Sequence, residues 1–398
     1  MSEPPARDDT PDLPGLPDWV KSLGLPPEAA DAIDRYWKPV WESLADELAL
    51  LPVNSRRAPA GAPAAAPGAE RIAFEAVEEL APGEKWRSRF LDMWPAYQAW
   101  YLREGDAARP TYAVARQQLR EHMPELVPTW ERLVELAGGG DLAARLLSLY
   151  RPPGFIVGCS QGAWTREEGP VLVRNYDYPA ARLEGIVYLT AWTGRRVIGM
   201  SDCLWGLLDG INDAGLAVSL TFGGRRDVGD GFAIPLVVRY LLETCDTVGD
   251  ARAALERIPV HAPQNLTLLD RSGAFLTAYV GPGRPAEFRA IPATTNHQGR
   301  VEWPEYARAI RTVEREECVL GLLDDAGMTR ERFIAAFLES PLRNTNHAQG
   351  FGTLYTAAYF TEEGRAEYRW PGFTWRQSFE RFEESEHAEV FEEVRRAA

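Results

Sequence analysis

Lysine is almost absent from this chain of 398 residues. The lysines are Lys21, Lys38 and Lys85, and all of them precede Cys159. A phosphate-binding P-loop and a Schiff-base site each require a lysine side chain. The sequence therefore excludes both kinds of site from residues 159–398.

Paired cysteines and apolar runs of membrane-spanning length are also missing. The four cysteines, Cys159, Cys203, Cys245 and Cys318, are far apart and form no CxxC pair, which argues against a zinc ribbon or a redox motif. The N-terminus has neither the basic nor the apolar region of a secretory signal. We therefore expect a cytoplasmic protein with no membrane partner, no metal and no organic cofactor.

The charge balance is acidic. Lys and Arg number 43 against 58 Asp and Glu, so the formal net charge is −15. Nucleic acid and anionic membrane surfaces repel such a chain, and we expect a small-molecule partner instead. Hydrophobic residues make up 45% and charged residues 25%, as in ordinary globular proteins. The oligomeric state stays open.

The first 150 residues predict a mainly helical segment. Apolar residues recur at helical spacing over 27–48, 70–103, 111–136 and 141–149. A stretch rich in Pro, Ala and Gly near 52–69 is typical of a flexible linker. We interpret residues 1–150 as a pro-segment or cover, and residues 151–398 as a catalytic domain.

After residue 150 the apolar pattern changes to that of strands. Strand-like runs bounded by turn residues are expected at 154–164, 170–176, 185–193, 196–202, 215–222, 265–270, 273–280, 287–294, 352–360 and 366–371. Helices are expected at 234–244, 250–257, 304–339 and in the tail from residue 379. Gly210–Leu216 predicts a turn. This order favours an α+β fold of two sheets with helices outside.

The residues around Cys159 predict a β-hairpin that gathers reactive groups. The apolar run Phe155-Ile156-Val157 ends at Gly158, and Cys159 follows it. After a turn at 165–170, a second strand ends in Arg174-Asn175-Tyr176-Asp177. A thiol, a guanidinium and a carboxylate are costly to bury inside an apolar hairpin unless they form a functional site.

This pattern resembles a known family. A Gly-Cys junction followed by Arg-Asn-aromatic-Asp, with Asp177 18 positions after Cys159, resembles the acyl-coenzyme A:isopenicillin N acyltransferase family of N-terminal nucleophile hydrolases. Choloylglycine hydrolase and acid ceramidase are related to it. The resemblance covers about residues 115–375 and implies a four-layer αββα sandwich after the helical segment. It also implies that the chain cuts itself between Gly158 and Cys159.

The resemblance implies roles for the residues of the hairpin. Cys159 would be the nucleophile, and its freed α-amine, with an ordinary pKa of about 7.7–8.0, would take the proton of the thiol. Asp177 would orient that amine, and Arg174 would stabilise negative charge. Asn175 and Tyr176 are expected to contribute backbone amides to the substrate site.

Two Thr-Asn-His runs compete for the role of oxyanion donor that the family gives to an asparagine. Asn296 lies 137 positions after Cys159. We prefer it to Asn346, which precedes a glycine-rich loop. The run from Thr312 to Arg315 resembles the family's Ser-x-x-Arg helix, with Thr in place of Ser, and makes Arg315 a candidate for substrate binding.

The favoured function is hydrolysis of, or acyl transfer from, a non-peptide linear amide through an acyl-cysteine intermediate. The missing lysines favour hydrolysis over transfer from acyl-coenzyme A. A papain-like Cys-His hydrolase is one alternative, because His297 lies 138 positions after Cys159; Gly162 and the following turn argue against the helix that such a cysteine begins. A non-catalytic relative that serves as a scaffold is the other.

Overall fold

The computed structural model describes residues 69–154, 157–347 and 352–392. The helix predicted at 27–48 and the predicted linker up to residue 68 lie outside the described residues. In the described part of the chain the α-helices are α1 (Glu84–Tyr101), α2 (Tyr112–His122), α3 (Val127–Leu136), α4 (Asp141–Leu147), α5 (Ile234–Thr244), α6 (Val248–Leu255), α7 (Pro304–Ala309), α8 (Thr312–Asp324) and α9 (Arg330–Ala336).

The strands of the same part of the chain fall into two sheets. They are β1 (Ala69–Glu78), β2 (Gly158–Trp164), β3 (Val171–Asp177), β4 (Ile186–Thr190), β5 (Val197–Asp202), β6 (Gly206–Asn212), β7 (Ala217–Phe222), β8 (Gln264–Leu269), β9 (Phe275–Val280), β10 (Glu287–Arg289), β11 (Ala293–Thr294), β12 (Thr353–Phe360), β13 (Arg365–Trp370), β14 (Phe373–Ser378) and β15 (Ser385–Glu392). One sheet has the order β10-β9-β8-β7-β6-β5-β4-β1-β15, and the other has the order β11-β2-β3-β12-β13-β14.

The two sheets pack face to face and helices cover them on both sides. Strands β2 and β3 of the smaller sheet contact β7 and β8 of the larger one. Helix α5 packs on β6 and β7, and α6 packs on β8 and β9. On the other side α8 packs on β2 and β11. The predicted four-layer αββα sandwich is therefore confirmed.

Local sequence explains why the helices of the larger sheet form where they do. Pro235 lies in the first turn of α5, where a missing N–H costs nothing. Helix α6 begins with a capping box, in which the Thr247 side chain accepts from the Asp250 N–H and the Asp250 carboxylate accepts from the Thr247 N–H. Both helices lie close to their predicted bounds.

Three predicted elements are wrong. Residues 70–78 were expected in a helix, but they form β1, in which Ile72, Phe74 and Ala76 point into the core at strand spacing. The tail from Phe379 was expected to be helical, but its described part contains the edge strand β15. The stretch Gly210–Leu216 is a turn only after Asn212, because its first residues belong to β6.

Strand β1 joins the two ends of the described chain. It pairs antiparallel with β15 and parallel with β4, so residues 69–78 lie inside the sheet that the later strands build. Pairing with distant strands satisfies the backbone of β1 and explains why local helical spacing misled the prediction. The interpretation of residues 1–150 as a segment separate from the catalytic domain stays a prediction.

Candidate active site

The predicted hairpin around Cys159 is present. Strands β2 and β3 pair with Cys159 opposite Tyr176 and Gly158 opposite Asp177. Side chains alternate between the faces of a strand, and the contacts follow this rule: Cys159 and Arg174 meet between the two sheets, whereas Asp177 faces helix α8. The hairpin therefore brings its thiol and its carboxylate to opposite faces of one backbone segment.

Arg174 is held against the thiol by a buried polar network. Its Nη2 lies 3.0 Å from Cys159 Sγ. Its Nη1 pairs with the carboxylate of Asp209 on β6 and donates to Tyr355 Oη at 3.1 Å. Tyr355 and Tyr359 both donate to the same carboxylate. The side chains of Arg174 and Asp209 are fully buried, so each charge compensates the other.

Cys159 is a protonated and inaccessible thiol in this structure. Burial raises its pKa to about 11, although the neighbouring Arg174 opposes this shift. The residue has no exposed surface. At neutral pH almost all of the thiol is therefore protonated, and no substrate can reach it in this conformation.

The carboxylate of Asp177 lies beside the Gly158–Cys159 bond. Its Oδ1 accepts from Thr353 Oγ1 at 2.6 Å, and its Oδ2 accepts from Arg315 Nη1 at 3.0 Å. A Cβ atom at Gly158 would lie 3.1 Å from the Cβ of Asp177, so this close approach favours glycine. Burial raises the pKa of Asp177, and Arg315 and Thr353 oppose that rise.

Arg315 makes hydrogen bonds to four groups of the candidate site. Its Nη1 donates to the Cys159 carbonyl, to Ser160 Oγ and to Asp177 Oδ2, each at 3.0 Å. Its Nη2 donates to Asn296 Oδ1, also at 3.0 Å. The sequence suggested Arg315 for substrate binding, but these bonds connect it to Cys159, Ser160 and Asp177. Its predicted contact with substrate stays a prediction.

Thr312, which replaces serine in the Ser-x-x-Arg pattern, makes hydrogen bonds through its hydroxyl. Thr312 begins helix α8, and its Oγ1 accepts from the Asn296 backbone N–H at 2.7 Å. The same hydroxyl donates to Thr295 Oγ1 at 2.8 Å. A hydroxyl at this helix start therefore fixes the Thr-Asn-His run, and Ser and Thr are equivalent for that purpose.

Asn296, and not Asn346, lies beside Cys159. Its Oδ1 accepts from the Cys159 N–H at 2.9 Å and from Arg315 Nη2. Both partners can only donate, so the amide orientation is fixed and Nδ2 must point the other way. Nδ2 donates to the Val157 carbonyl at 3.3 Å. Asn346 is half-buried and its backbone N–H donates to Asn344 Oδ1.

Asn175 and Tyr176 have structural contacts. Asn175 Nδ2 donates to the carbonyls of Phe337 and Leu342 at 2.7 and 3.0 Å, on the helix side of the sheet. The Tyr176 ring packs against the guanidinium of Arg174, 4.7 Å from its centroid. The backbones of both residues lie in ladders with β2 and β12. Their predicted part in substrate binding stays a prediction.

The papain-like arrangement is not supported. Cys159 lies in strand β2 and not at the start of a helix. His297 Nε2 lies 3.2 Å from Glu316 Oε2, and its Nδ1 lies 3.2 Å from Thr312 Oγ1. These contacts commit both ring nitrogens away from Cys159.

Three residues around the site were missed from the sequence. Asp209 pairs with Arg174, Thr353 donates to Asp177, and Tyr306 donates to the Val157 carbonyl at 2.6 Å. Only Asp209 could have been predicted from its local sequence, since an acidic residue within an apolar strand needs a partner. The other two come from elements far along the chain.

Within 69–154, 157–347 and 352–392, no group of three or more His, Cys, Asp or Glu could hold a metal ion. Over the same ranges no helix combines the length and the apolarity needed to cross a bilayer.

The sequence matches a protein-family model over more than half of its length. The family is described as acyl-coenzyme A:6-aminopenicillanic acid acyl-transferase, and the match covers residues 164–375. It contains Arg174, Asp177, Asn296 and Arg315 and begins five residues after Cys159. Among curated proteins none matches the chain.

Solved structures with a similar backbone arrangement include three hydrolases. Penicillin V acylase from Agrobacterium tumefaciens is 15% identical, with a TM-score of 0.43 over 56% of this chain and 87% of its own. A mutant conjugated bile acid hydrolase from Clostridium perfringens is 11% identical, with a TM-score of 0.41 over 57% of this chain and 96% of its own. The Caenorhabditis elegans ortholog of N-acylethanolamine-hydrolyzing acid amidase is 16% identical, with a TM-score of 0.39 over 51% of this chain and 93% of its own.

Proposed function

Because this chain belongs to the acyl-coenzyme A:6-aminopenicillanic acid acyl-transferase family, we propose that it cuts itself before Cys159 and then acts on a non-peptide linear amide through that cysteine. Two contacts of Cys159 support the proposal. The backbone N–H of Cys159, the group that the cut would turn into an α-amine, is held by Asn296, while Arg174 lies 3.0 Å from the thiol.

Self-cleavage begins with attack of Cys159 Sγ on the Gly158 carbonyl carbon. The C–N bond then breaks, and the leaving nitrogen takes up the proton that the thiol released. The product is a thioester between Gly158 and Cys159 with a free α-amine, and water hydrolyses it to a Gly158 carboxylate and a free thiol. Asp177 lies beside this bond and stabilises the ammonium form of the new amine.

Turnover repeats the same chemistry on substrate. The neutral α-amine accepts the thiol proton, and the thiolate attacks the carbonyl of the substrate amide. The C–N bond breaks, the departing amine receives the proton, and an acyl-cysteine remains for water to hydrolyse. Arg174 stabilises the thiolate, and Asn296 Nδ2 is oriented to donate to the developing oxyanion.

Two features bear on the choice among hydrolysis, acyl transfer and a role without catalysis. Residues 159–398 contain no lysine with which to bind the phosphates of coenzyme A, so we favour hydrolysis. A scaffold without activity would gain little from a buried guanidinium beside a thiol, because the buried ion pair with Asp209 that holds Arg174 there stabilises a fold weakly at best. The contact between Arg174 and Cys159 therefore favours the enzyme.

Mass spectrometry of the purified protein under denaturing conditions tests the proposal. We expect two fragments, 1–158 and 159–398, and hydrolysis of acyl p-nitroanilides by the cut form. Cys159→Ala should abolish both, whereas Cys245→Ala, a buried free cysteine elsewhere, should keep both. An intact chain that is fully active would refute the proposed maturation, and cleavage that persists in Cys159→Ala would assign it to another protease.

A further inference from the structure

Two side chains converge on one carbonyl oxygen next to the proposed cut. The oxygen belongs to Val157, two residues before Cys159. Tyr306 Oη donates to it at 2.6 Å, and Asn296 Nδ2 donates to it at 3.3 Å. The carbonyl lies on the N-terminal side of the bond that would break, so it belongs to the fragment that ends at Gly158.

The position of the Tyr306 hydroxyl does not depend on Val157. Its ring stacks on Trp303 at a centroid distance of 4.9 Å and meets the edge of Phe222 at 5.4 Å. The residue is fully buried. Helix α7, which begins at Pro304, carries the ring. Packing therefore holds the hydroxyl in place whether or not the carbonyl is there.

The second donor is equally fixed. The Asn296 amide cannot flip, because its Oδ1 accepts from the Cys159 N–H and from Arg315. If Val157 moves away after the cut, the Tyr306 hydroxyl loses its acceptor in a buried place, and the Asn296 amide keeps only the Phe222 carbonyl, to which Nδ2 donates at 3.2 Å, for its two N–H groups. An unsatisfied buried donor is costly, so this pair would favour any oxygen that takes the vacated position beside Cys159.

We propose that Tyr306 is a second oxyanion donor next to Asn296, and that the carbonyl oxygen of the substrate takes the place of the Val157 oxygen. This inference rests on the proposed function. When the thiolate adds to the substrate carbonyl, the π electrons move to the oxygen, which accepts from Asn296 Nδ2 and Tyr306 Oη. When the intermediate collapses, the carbonyl reforms and both donors keep their protons.

The ionisation of Tyr306 suits this role. Burial raises its pKa well above the ordinary value, and Cys159 and Asp177 raise it further, against Arg315. The hydroxyl therefore keeps its proton throughout the neutral range and remains a donor. Since it neither gives up nor takes up a proton, Tyr306 adds no limb to the pH profile.

Tyr306→Phe tests the inference, because it removes the hydroxyl and keeps the ring packing. We expect kcat for octanoyl and phenylacetyl p-nitroanilide, counted per cut chain, to fall on the order of 100-fold with little change in KM. Tyr240→Phe is the control: the Tyr240 hydroxyl accepts from Arg257, in the turn after α6, and kcat should not change.

Aldehyde inhibitors separate an oxyanion donor from a structural residue. Octanal and phenylacetaldehyde add to a cysteine thiol to give a hemithioacetal, whose oxygen imitates the tetrahedral intermediate. Tyr306→Phe should weaken their inhibition by a factor similar to that in kcat. Inhibition by octanoic and phenylacetic acid, which form no such adduct, should stay within about twofold.

If Tyr306→Phe does not cut itself, a specific-protease site placed just before Cys159 in both wild type and variant supplies the cut enzyme. A kcat and an aldehyde inhibition equal to wild type, with lowered thermal stability, would overturn the inference and leave the proposed function intact. A wild type that neither cuts nor hydrolyses these anilides would overturn both.

Discussion

At the scale of single residues, the site is defined by groups whose hydrogen-bonding roles allow one arrangement. Arg315 and the Cys159 N–H can only donate, Asp177 accepts, and Asn296 is fixed between them. The burial of these groups means that each removal leaves a partner unsatisfied, which costs more than the lost bond itself. Substitutions that keep shape are therefore the informative ones.

The pH dependence of the proposed self-cleavage follows from the thiol. Burial raises the pKa of Cys159 in the uncut chain to about 11. Below that pH, the thiolate fraction increases tenfold for each unit by which the pH is raised. If the thiolate attacks Gly158, the rate of cleavage after rapid refolding should rise about tenfold per unit between pH 6 and pH 9. Mass spectrometry of quenched samples measures it. A rate that is flat across this range would show that another step limits cleavage.

The pH dependence of turnover tests the α-amine as base. The amine must be neutral, and Asp177 raises its pKa by favouring the charged form. Asp177→Asn removes that effect, so the acidic limb of kcat/KM should move to lower pH while activity falls through lost orientation. His297→Gln is the control and should leave the limb in place. A limb that vanishes with His297→Gln and ignores Asp177→Asn would indicate a Cys-His pair instead.

The two Thr-Asn-His runs provide a matched pair of variants. Asn296→Ala removes the fixed amide beside Cys159, and we expect kcat to fall by about two to three orders of magnitude with little change in KM. Asn346→Ala removes a half-buried side chain near Asn344 and should leave kcat unchanged. Steady-state kinetics on the cut form compare them, and a large effect at Asn346 alone would reverse the assignment.

At the scale of elements, strand β6 supplies the charge that makes a buried Arg174 possible. Asp209 on this strand faces β3 across the two sheets, and Tyr355 on β12 donates to it from the sheet of Arg174 at 2.6 Å. The network thus ties both sheets together behind the thiol. Its loss would affect the stability of the sandwich and the environment of Cys159 at once.

Asp209→Asn should therefore be strongly destabilising. The variant keeps the shape of the side chain but leaves the Arg174 charge buried without a counterion, which typically costs about 3–5 kcal/mol. Asp213→Asn is the control, since its partners Arg195 and Arg196 are partly exposed and such pairs contribute about 0–1 kcal/mol. Denaturant unfolding in the Cys159→Ala background, which stays uncut, measures both. Equal stability of the two variants would contradict the account.

At the scale of the whole molecule, strand β1 decides what a cut would do. The cut would place β1 in one fragment and its neighbours β4 and β15 in the other, yet eight residues of β1 pair with β15. Helix α1 of the same fragment is also anchored, because Trp86 Nε1 donates to the Leu204 carbonyl and Tyr97 accepts from the Cys203 N–H. The two fragments therefore share one core.

We accordingly expect the fragments to stay together after cleavage. On gel filtration in native buffer, 1–158 and 159–398 should elute in one peak, and 6 M guanidinium should separate them. Activity should follow the joint peak. Elution of fragment 1–158 by itself from native buffer would contradict this expectation and make residues 1–158 a released pro-segment.

The sequence by itself determined the features that short-range pattern encodes. The hairpin of β2 and β3 follows from apolar runs around a turn, and helix α5 has the predicted bounds Ile234–Thr244. The spacing of Cys159 and Asp177 predicted the candidate site, and the catalytic roles of these two residues stay a prediction. These signals are local because periodicity, turns and motif spacing each involve a few neighbouring residues.

Only the tertiary structure decided the rest. The strand identity of β1 and β15 depends on their pairing with each other across the length of the chain, which overrode a helical pattern. The central place of Arg315, the pairing of Asp209 with Arg174 and the convergence of Tyr306 on Val157 join residues far apart in sequence. Periodicity carries no information about such contacts, because packing of the two sheets and α7 and α8 brings these groups together.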